Sequence, residues 1–260
     1  MTSKPTILLL HGVTMSARAW TTVTPLLTDR YDVLAPTAVG HRGGPPMVGK
    51  ATIGTLTDHI ETVLDARGLD RVHIAGNSMG GWMAIELARR GRAKSVCAFS
   101  PAGFWTSSRS DQATHRIRRS VRLARLTWPL APFAFRVAAV RRAAMRDIAQ
   151  HGERLTVAQA VDIAGDAASC TAAGDLLATD EHVDALDPLP CPITLAWSAH
   201  DRIFPPAAHG AIAQQRLPRA AHTVLPGVGH VPMIDDPHLC ARTIHASVQQ
   251  AAHPRPASDR

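Results

Sequence analysis

Long apolar runs and closely spaced cysteines are both missing from this 260-residue sequence. No apolar run approaches the roughly 20 residues that a membrane-spanning helix requires, so we expect no transmembrane segment. The first residues lack the long apolar stretch and small-residue cleavage site of a secretory signal peptide. The cysteines show no C-x-x-C spacing, which argues against a zinc site and leaves their pairing open; they are Cys97, Cys170, Cys191 and Cys240. We therefore expect a cytoplasmic protein with reduced, mostly buried thiols.

Lysine is also scarce, since only three of the 28 basic residues are lysine and the others are arginine. With 21 acidic residues the formal net charge is +7, which at first suggests a nucleic-acid partner. The joint excess of arginine and alanine is instead typical of a GC-rich genome, and net charge concerns solubility and non-specific binding rather than fold. The sequence thus predicts no nucleic-acid partner. Its 45% apolar and 19% charged residues indicate a globular protein.

Short apolar runs alternate with longer helical patterns along most of the chain. Strands are predicted at Thr6–Leu10, 31–36, 72–75, 95–100, 193–197 and 222–225, and helices over 53–67, 80–90, 207–217 and 238–250. This alternation predicts right-handed crossovers and an α/β fold with a mainly parallel sheet. The runs ILLL and ITLAW are continuously apolar, as in parallel strands buried on both faces.

The strand rhythm stops between residues 102 and 190, which read as helical and alanine-rich. Such a stretch is too long for a loop, so we expect residues 1–101 and 191–252 to form the core and 102–190 to form an inserted helical cap. Residues 253–260 are predicted to be a disordered tail.

The predicted cap is divided by charge. Residues 109–147 hold ten arginines against two acids, whereas 153–187 hold eight acids against one arginine. The arginines of 116–125 have the spacing of a helix face that meets nucleic acid or anionic lipid. The sequence favours a solvated face, or pairing with the acidic half, over either partner and over membrane association.

An uncharged stretch, 126–135, interrupts the basic half. Its prolines, Pro129 and Pro132, are expected to break or start a helix. The aromatic side chains in and near it suit an acyl pocket or the core of the cap equally well; they are Trp105, Trp128, Phe133 and Phe135.

The sharpest motif is GNSMGG, with Ser78 between an apolar strand and a helix. A serine on such a sharp turn has a strained backbone, and glycines at Gly76 and Gly80 avoid clashes. The turn directs the hydroxyl away from the sheet, and the helix N-terminus places N–H groups beside it. This is the nucleophile-elbow pattern G-x-S-x-G in its expected context, so Ser78 is the predicted nucleophile.

A serine hydroxyl needs a base, and the base needs an orienting acid. Asp201 and His230 each follow a predicted strand, and the order Ser, Asp, His fits a hydrolase triad. His200 competes for the role of base, but it lacks the glycine-rich turn and its side chain would point away from Asp201. Asp235 and Asp236 compete for the role of acid, although they follow His230 too closely to reach it from another strand.

The oxyanion of the reaction needs two N–H donors. Met79, the residue after the nucleophile, is predicted to supply one, and Val13, in the loop after the first strand, the other. Thr14 is the second choice for that loop. His11 is expected to hold the loop by hydrogen bonding rather than to act on substrate.

Together these motifs make the sequence resemble the α/β-hydrolase superfamily. LLHG, GNSMGG, HDRIFP and GVGH stand in the family's order over nearly the whole chain. The resemblance implies the triad Ser78–His230–Asp201 and a helical cap over the pocket. GNSMGG is similar to the elbow of carbon–carbon bond hydrolases, which tend to carry tryptophan where Val231 stands here. The first strand begins near residue 6, so we expect no preceding antiparallel hairpin.

We expect an enzyme that hydrolyses carboxylic esters through an acyl-enzyme, without metal or organic cofactor, on a small and apolar acyl substrate. The same triad also suits carbon–carbon, thioester or lactone bonds, and a third alternative is a non-catalytic binding protein. Epoxide hydrolases of this superfamily use a carboxylate nucleophile, so Ser78 argues against that activity.

Overall fold

The computed structural model describes residues 4–106 and 112–252. The predicted disordered tail, 253–260, lies outside the described residues. Six strands form one sheet in the order β2-β1-β3-β4-β5-β6, and all neighbours in it run parallel. The strands are β1 Thr6–Leu10, β2 Asp32–Leu34, β3 Val72–Asn77, β4 Ala93–Phe99, β5 Ile193–Ser198 and β6 Ala221–Leu225. The α/β fold with its parallel sheet is as predicted.

Helices join the strands and cover both faces of the sheet. They are α1 Ile53–Asp65, α2 Met79–Arg89, α3 Gln112–Thr127, α4 Ala131–Ala134, α5 Ala138–Met145, α6 Val157–Ser169, α7 Ala173–Leu176, α8 Ala211–Arg216, α9 Pro232–Asp235 and α10 Pro237–Ala252. The predicted helix over 207–217 is divided into a π-helical turn, Pro206–Gly210, and α8. Within the described residues, no helix is long and apolar enough to cross a membrane.

Strand β1 shows how the sheet is buried on both sides. Leu8 and Leu10 pack in one apolar cluster with α1 and α2, and Ile7 and Leu9 pack in another with Ile244 of α10. Successive side chains of a strand point to opposite faces. A continuously apolar strand therefore requires a helix layer on each face, as the run ILLL predicts.

The strand order creates a crevice at the carboxyl ends of β1 and β3. From β1 the chain crosses to β2 on one side and later returns to β3 on the other side of β1. Loops that leave the carboxyl ends of β1 and β3 therefore diverge, and ligands bind at such a switch point. The LLHG and GNSMGG motifs both lie there.

The stretch between β4 and β5 is only partly helical. Helices α3 to α7 lie within residues 112–176, whereas the predicted helix is wrong for the described residues from 177 to 190. Pro188 and Pro190 stand in this stretch, and proline has no N–H for a helical hydrogen bond. The prediction for Pro129 and Pro132 is confirmed, because each lies in the first turn of a short helix.

The acids of helix α6 bind arginines in the loops of the sheet, although the helix itself packs against α3, where Arg125 Nε donates to the Ala168 carbonyl at 3.2 Å. Asp166 is buried and accepts hydrogen bonds from Ser16, from Arg18 Nη1 at 3.0 Å and from Arg42 Nη1 at 3.2 Å. Arg42 also binds Asp162 Oδ1 at 3.2 Å.

Among the described residues, no arginine of 116–146 forms an ion pair with a carboxylate of 153–187. Of the two predicted alternatives, the described arginines of α3 show the solvated face, since Arg119 and Arg122 are exposed, and not the pairing.

All four cysteines are buried and free, as expected. Burial raises the pKa of each thiol, that of Cys191 to about 11, so the thiols stay protonated and unreactive near neutral pH.

Candidate functional site

Ser78 stands at the sharp turn between β3 and α2, where the sequence predicts it. Its φ of 55° and ψ of −117° lie in a region that L residues rarely adopt. Backbone hydrogen bonds hold this conformation: the Ser78 N–H donates to the Phe99 carbonyl at 2.9 Å, and the Ser78 carbonyl accepts from the Ala102 N–H at 3.0 Å. The turn is thus anchored to the end of β4.

The two glycines of the motif are required by close backbone approach. A Cβ atom on Gly76 would lie 2.1 Å from the Gly80 carbonyl oxygen, and a Cβ on Gly80 would lie 2.2 Å from that of Leu10. No side chain fits either position, because both neighbours are backbone. The glycines allow α2 to approach β1 and β3 closely enough to form the turn.

Asp201 and His230 meet as predicted, although 29 residues separate them in the chain. Asp201 Oδ2 lies 2.7 Å from His230 Nδ1, and both residues are buried. A carboxylate only accepts hydrogen bonds, so Nδ1 carries the proton and Nε2 is left as an acceptor. The other carboxylate oxygen accepts from the N–H groups of Ile203 at 2.8 Å and Phe204 at 2.7 Å. These two hydrogen bonds hold the Asp201 carboxylate in place, and the carboxylate in turn orients the His230 imidazole.

The competing residues have other positions. His200 is exposed. Asp235 accepts hydrogen bonds from the N–H groups of Gly229 and His151, both at 2.8 Å. It thus joins the loop before His230 to the loop that follows α5. Asp236 accepts from the Leu239 N–H at 2.8 Å in the first turn of α10. Both carboxylates are thus used in local structure.

Asn77 is a positioning residue that sequence reasoning missed. Its amide nitrogen donates to the His230 carbonyl at 2.8 Å and to the Phe99 carbonyl at 3.2 Å. The side chain is fully buried, and its Oδ1 atom has no hydrogen-bond partner in the described structure. Asn77 therefore connects the strand before Ser78 to the loop of His230. The only signal in the sequence is an amide next to the nucleophile, which does not reveal its partner.

His11 holds the loop after β1, as expected. Its Nε2 accepts from the Ala38 N–H at 3.0 Å, so Nδ1 carries the proton and donates to the Gly12 carbonyl at 2.9 Å. Burial, reinforced by neighbouring His41, lowers the pKa of His11 to about 3. The imidazole is therefore neutral and acts as a structural link between the loops after β1 and β2.

The predicted oxyanion donors flank the serine. Val13 and Thr14 border the same cavity as Ser78, and Thr14 has a φ of 65°. Met79 is the first residue of α2, where the N–H groups have no partner within the helix. Their role as donors remains a prediction.

A cavity of about 400 Å³ contains Ser78 and His230 in its wall. The rest of the wall is mainly aliphatic and comes largely from α3 to α6, including Val121, Val140 and Ile163. Among the described lining residues, Asp147 is the one ionisable side chain besides His230, and none is Arg or Lys. No three His, Cys, Asp or Glu side chains of the described chain are placed to hold a metal ion together. The cavity suits a small and mostly apolar molecule.

Comparisons with known proteins identify the family of this chain. The profile of the alpha/beta hydrolase family matches residues 7–243. An epoxide hydrolase, EphH, of Mycobacterium tuberculosis is 34% identical over 202 residues, which cover 75% of this chain and 94% of that protein. The pimeloyl-[acyl-carrier protein] methyl ester esterase of Aromatoleum aromaticum is 30% identical over 257 residues, covering 95% and 99%.

A thermophilic esterase from Thermogutta terrifontis has a similar fold, with a TM-score of 0.72 at 22% identity, covering 96% of this chain and 92% of that one. Fold, family profile and curated relatives thus lead to one conclusion, which is that this chain belongs to the alpha/beta hydrolase family and is a hydrolase.

Proposed function

We propose that this hydrolase cleaves carboxylic esters with Ser78 as nucleophile, His230 as base and Asp201 as the acid that orients it. The observation that carries the proposal is the 2.7 Å contact between His230 Nδ1 and Asp201 Oδ2 beside a cavity that also contains the strained Ser78. A hydroxyl becomes nucleophilic when an oriented imidazole accepts its proton.

In the proposed reaction, the Ser78 oxygen attacks the acyl carbon while His230 Nε2 accepts the hydroxyl proton. The N–H groups of Val13 and Met79 stabilise the oxyanion, and loss of one such donor typically costs about 3–4 kcal/mol of transition-state stabilisation. The protonated imidazole then donates to the leaving alkoxide. Water, deprotonated by His230, releases the acid from the acyl-enzyme.

The proposal includes a cap and a substrate class. We assign residues 102–190 as a cap because α3 to α6 supply most of the cavity wall opposite Ser78. The aliphatic wall favours a neutral, apolar acyl group. Asp147 disfavours a carboxylate inside the cavity, because it is the one acidic side chain among the described lining residues. Exposed Arg146, whose Nε lies 3.6 Å from Asp147 Oδ1, weakens this repulsion. The buried free thiols fit a reducing compartment, so we propose a cytoplasmic location.

One relative is named an epoxide hydrolase, but a serine nucleophile does not suit that reaction here. Attack of an alkoxide on an epoxide carbon forms an ether, which water does not cleave under these conditions. Attack on an ester carbon forms an acyl-enzyme, which water does cleave. The chemistry of Ser78 therefore favours an acyl substrate over an epoxide.

The test is a panel of p-nitrophenyl esters of increasing acyl length, run on the wild type, Ser78→Ala and His230→Asn. We expect either substitution to reduce kcat by at least about a thousandfold. Ser120→Ala is the matched control, because Ser120 also lines the cavity; exposed His200→Asn is the control for His230.

The same panel distinguishes the alternatives. A vinylogous 1,5-diketone, a thioester, a lactone and styrene oxide are compared with the best ester. Preference for the diketone would replace ester cleavage by carbon–carbon bond cleavage. If a fluorophosphonate probe labels neither the wild type nor the controls, the chain is a binding protein and the proposal fails.

A further inference from the structure

Large apolar side chains are exposed in one short stretch of the predicted cap. Leu126 is 80% exposed, Phe133 66% and Leu130 63%, and Leu123, Val137 and Val140 are exposed beside them. Elsewhere in the described chain, exposed large apolar side chains stand at the separate positions Leu26, Val48 and Val224. We call residues Leu123, Leu126, Leu130, Phe133, Val137 and Val140 the apolar stripe. A concentration of this kind marks a contact surface.

Arginines border the apolar stripe, and no acid accompanies them on α3. This helix carries Arg116, Arg118, Arg119, Arg122 and Arg125. Arg119 and Arg122 are exposed and form no hydrogen bond or ion pair with the described part of the chain. They lie four residues before Leu123 and Leu126, a spacing that puts side chains next to each other on a helix. With Arg118 and His115 they line a groove, and none of its described lining residues is Asp or Glu.

Half of the apolar stripe also belongs to the wall of the cavity. Leu123, Leu130 and Val140 line the cavity that contains Ser78 and His230, and each is also exposed to solvent. An apolar molecule held against the stripe would therefore reach the cavity without crossing a polar surface.

We propose that the apolar stripe and the arginines of α3 dock on an anionic lipid surface. Exposed apolar side chains beside cationic ones are what an interfacial helix presents to acyl chains and to phosphate headgroups respectively. A second copy of this chain fits less well, because a two-fold contact through the same face would bring two copies of α3 together, each with five arginines and no acid on that helix to pair with them. An acidic protein would neutralise the arginines but would gain little from Leu126 and Phe133.

The experiment is co-sedimentation of the full chain with vesicles, without substrate, so it does not depend on the ester-cleaving reaction. Vesicles of phosphatidylcholine alone are compared with equal parts of phosphatidylcholine and phosphatidylglycerol. We expect binding to the anionic vesicles that is at least about tenfold stronger and weakens with salt. The double variants Leu126→Ser/Phe133→Ser and Arg119→Gln/Arg122→Gln are each expected to lose at least about tenfold in affinity.

The controls are Val48→Ser, which removes an apolar side chain that is 87% exposed, and Arg67→Gln, which removes an exposed arginine at the end of α1. Both control variants should bind vesicles like the wild type. The substituted residues Leu126 and Phe133 do not line the cavity. The variants should therefore still cleave a short, water-soluble ester.

Three outcomes overturn the proposal. One is failure of the folded wild type to bind anionic vesicles. Another is vesicle binding that Arg119→Gln/Arg122→Gln weakens and Leu126→Ser/Phe133→Ser leaves unchanged. That result would indicate a surface for a polyanion such as an acidic protein. The third is a dimer in solution that the Leu126→Ser/Phe133→Ser variant dissociates, which assigns the stripe to a second copy of the chain.

Discussion

At the residue scale, the backbone of Ser78 stores strain that the neighbouring structure holds in place. A conformation with φ 55° and ψ −117° costs an L residue on the order of 1–3 kcal/mol. The hydrogen bonds to Phe99 and Ala102, and the close approach of Gly80 to Leu10, maintain it.

The first prediction tests the backbone strain independently of the hydroxyl group, which both variants lack. Ser78→Gly should be more stable than Ser78→Ala by about 1 kcal/mol, because glycine adopts the conformation without a Cβ penalty. Urea denaturation measures the difference. At Ser120, inside α3, the order should reverse, since glycine costs a helix about 1 kcal/mol relative to alanine. Equal stabilities at position 78 would contradict the strain.

The second prediction concerns His11 and pH. Its native pKa of about 3 lies below the ordinary value of 6.5, so the unfolded chain binds a proton that the native chain does not. Its contribution is therefore present above pH 6.5 and is lost as the pH falls from there toward 3, by about 2 kcal/mol at pH 5.

His11→Asn should be less stable near neutral pH, by about 1–3 kcal/mol, because hydrogen bonds to Gly12 and Ala38 are lost. When the pH is lowered to about 5, the free energy of unfolding of His11→Asn should also fall by about 2 kcal/mol less than that of the wild type. Urea titrations at both pH values check this. The exposed His238→Asn is the control, and an unchanged pH dependence in His11→Asn would refute the argument.

At the scale of single elements, one buried carboxylate joins α6 to the loops of the sheet. Asp166 contacts Ser16, Arg18 and Arg42, which lie in the loops after β1 and β2. Burial raises the pKa of Asp166 in spite of these partners, which means that burying the carboxylate costs free energy. We therefore expect its hydrogen bonds to set the position of α6 more than to increase the stability of the fold.

The third prediction is that Asp166→Ala loosens α6 and leaves the sheet intact. Hydrogen exchange of α6 amides should accelerate by at least about tenfold, whereas β3 and β4 should stay protected. Asp162→Ala is the matched control: Asp162 lies on the same helix and binds Arg42, but its side chain is 42% exposed. Equal acceleration in both variants would mean that Asp166 has no special role.

Element boundaries were predictable where the pattern is local. The start of α1 follows from Thr52, whose side chain caps the Thr55 N–H, and from buried Ile53, Leu56 and Ile60. The partners of α6 were not predictable. Its acids could equally have faced the arginines of α3, and only the tertiary arrangement brings them to Arg18 and Arg42.

At the scale of the whole molecule, the cavity belongs to two layers at once. Loops of the sheet supply Gly12, Ser78 and His230, and the stretch between β4 and β5 supplies the mainly aliphatic wall and Asp147. Its selectivity therefore depends on residues far from Ser78 in the chain.

The fourth prediction tests Asp147. In Asp147→Asn, kcat/KM for an ester with a terminal carboxylate should rise about three- to tenfold relative to the neutral ester of equal length, because charge repulsion is removed and Arg146 loses its ion-pair partner. Steady-state kinetics with both esters give the ratio. Asp162→Asn, which lies outside the cavity wall, should leave it unchanged, and an unchanged ratio in Asp147→Asn would place Asp147 away from the bound acyl group.

The sequence by itself determined the sheet, the elbow at Ser78 and the order of Ser78, Asp201 and His230, because strand periodicity and glycine sterics act over a few residues. Only the tertiary structure decided that Asn77 holds the His230 loop, that Asp166 binds the loops of the sheet, and that Leu126 and Phe133 are exposed beside arginines. These contacts join residues distant in the chain, and a pattern of apolar and charged residues does not specify which distant partners meet.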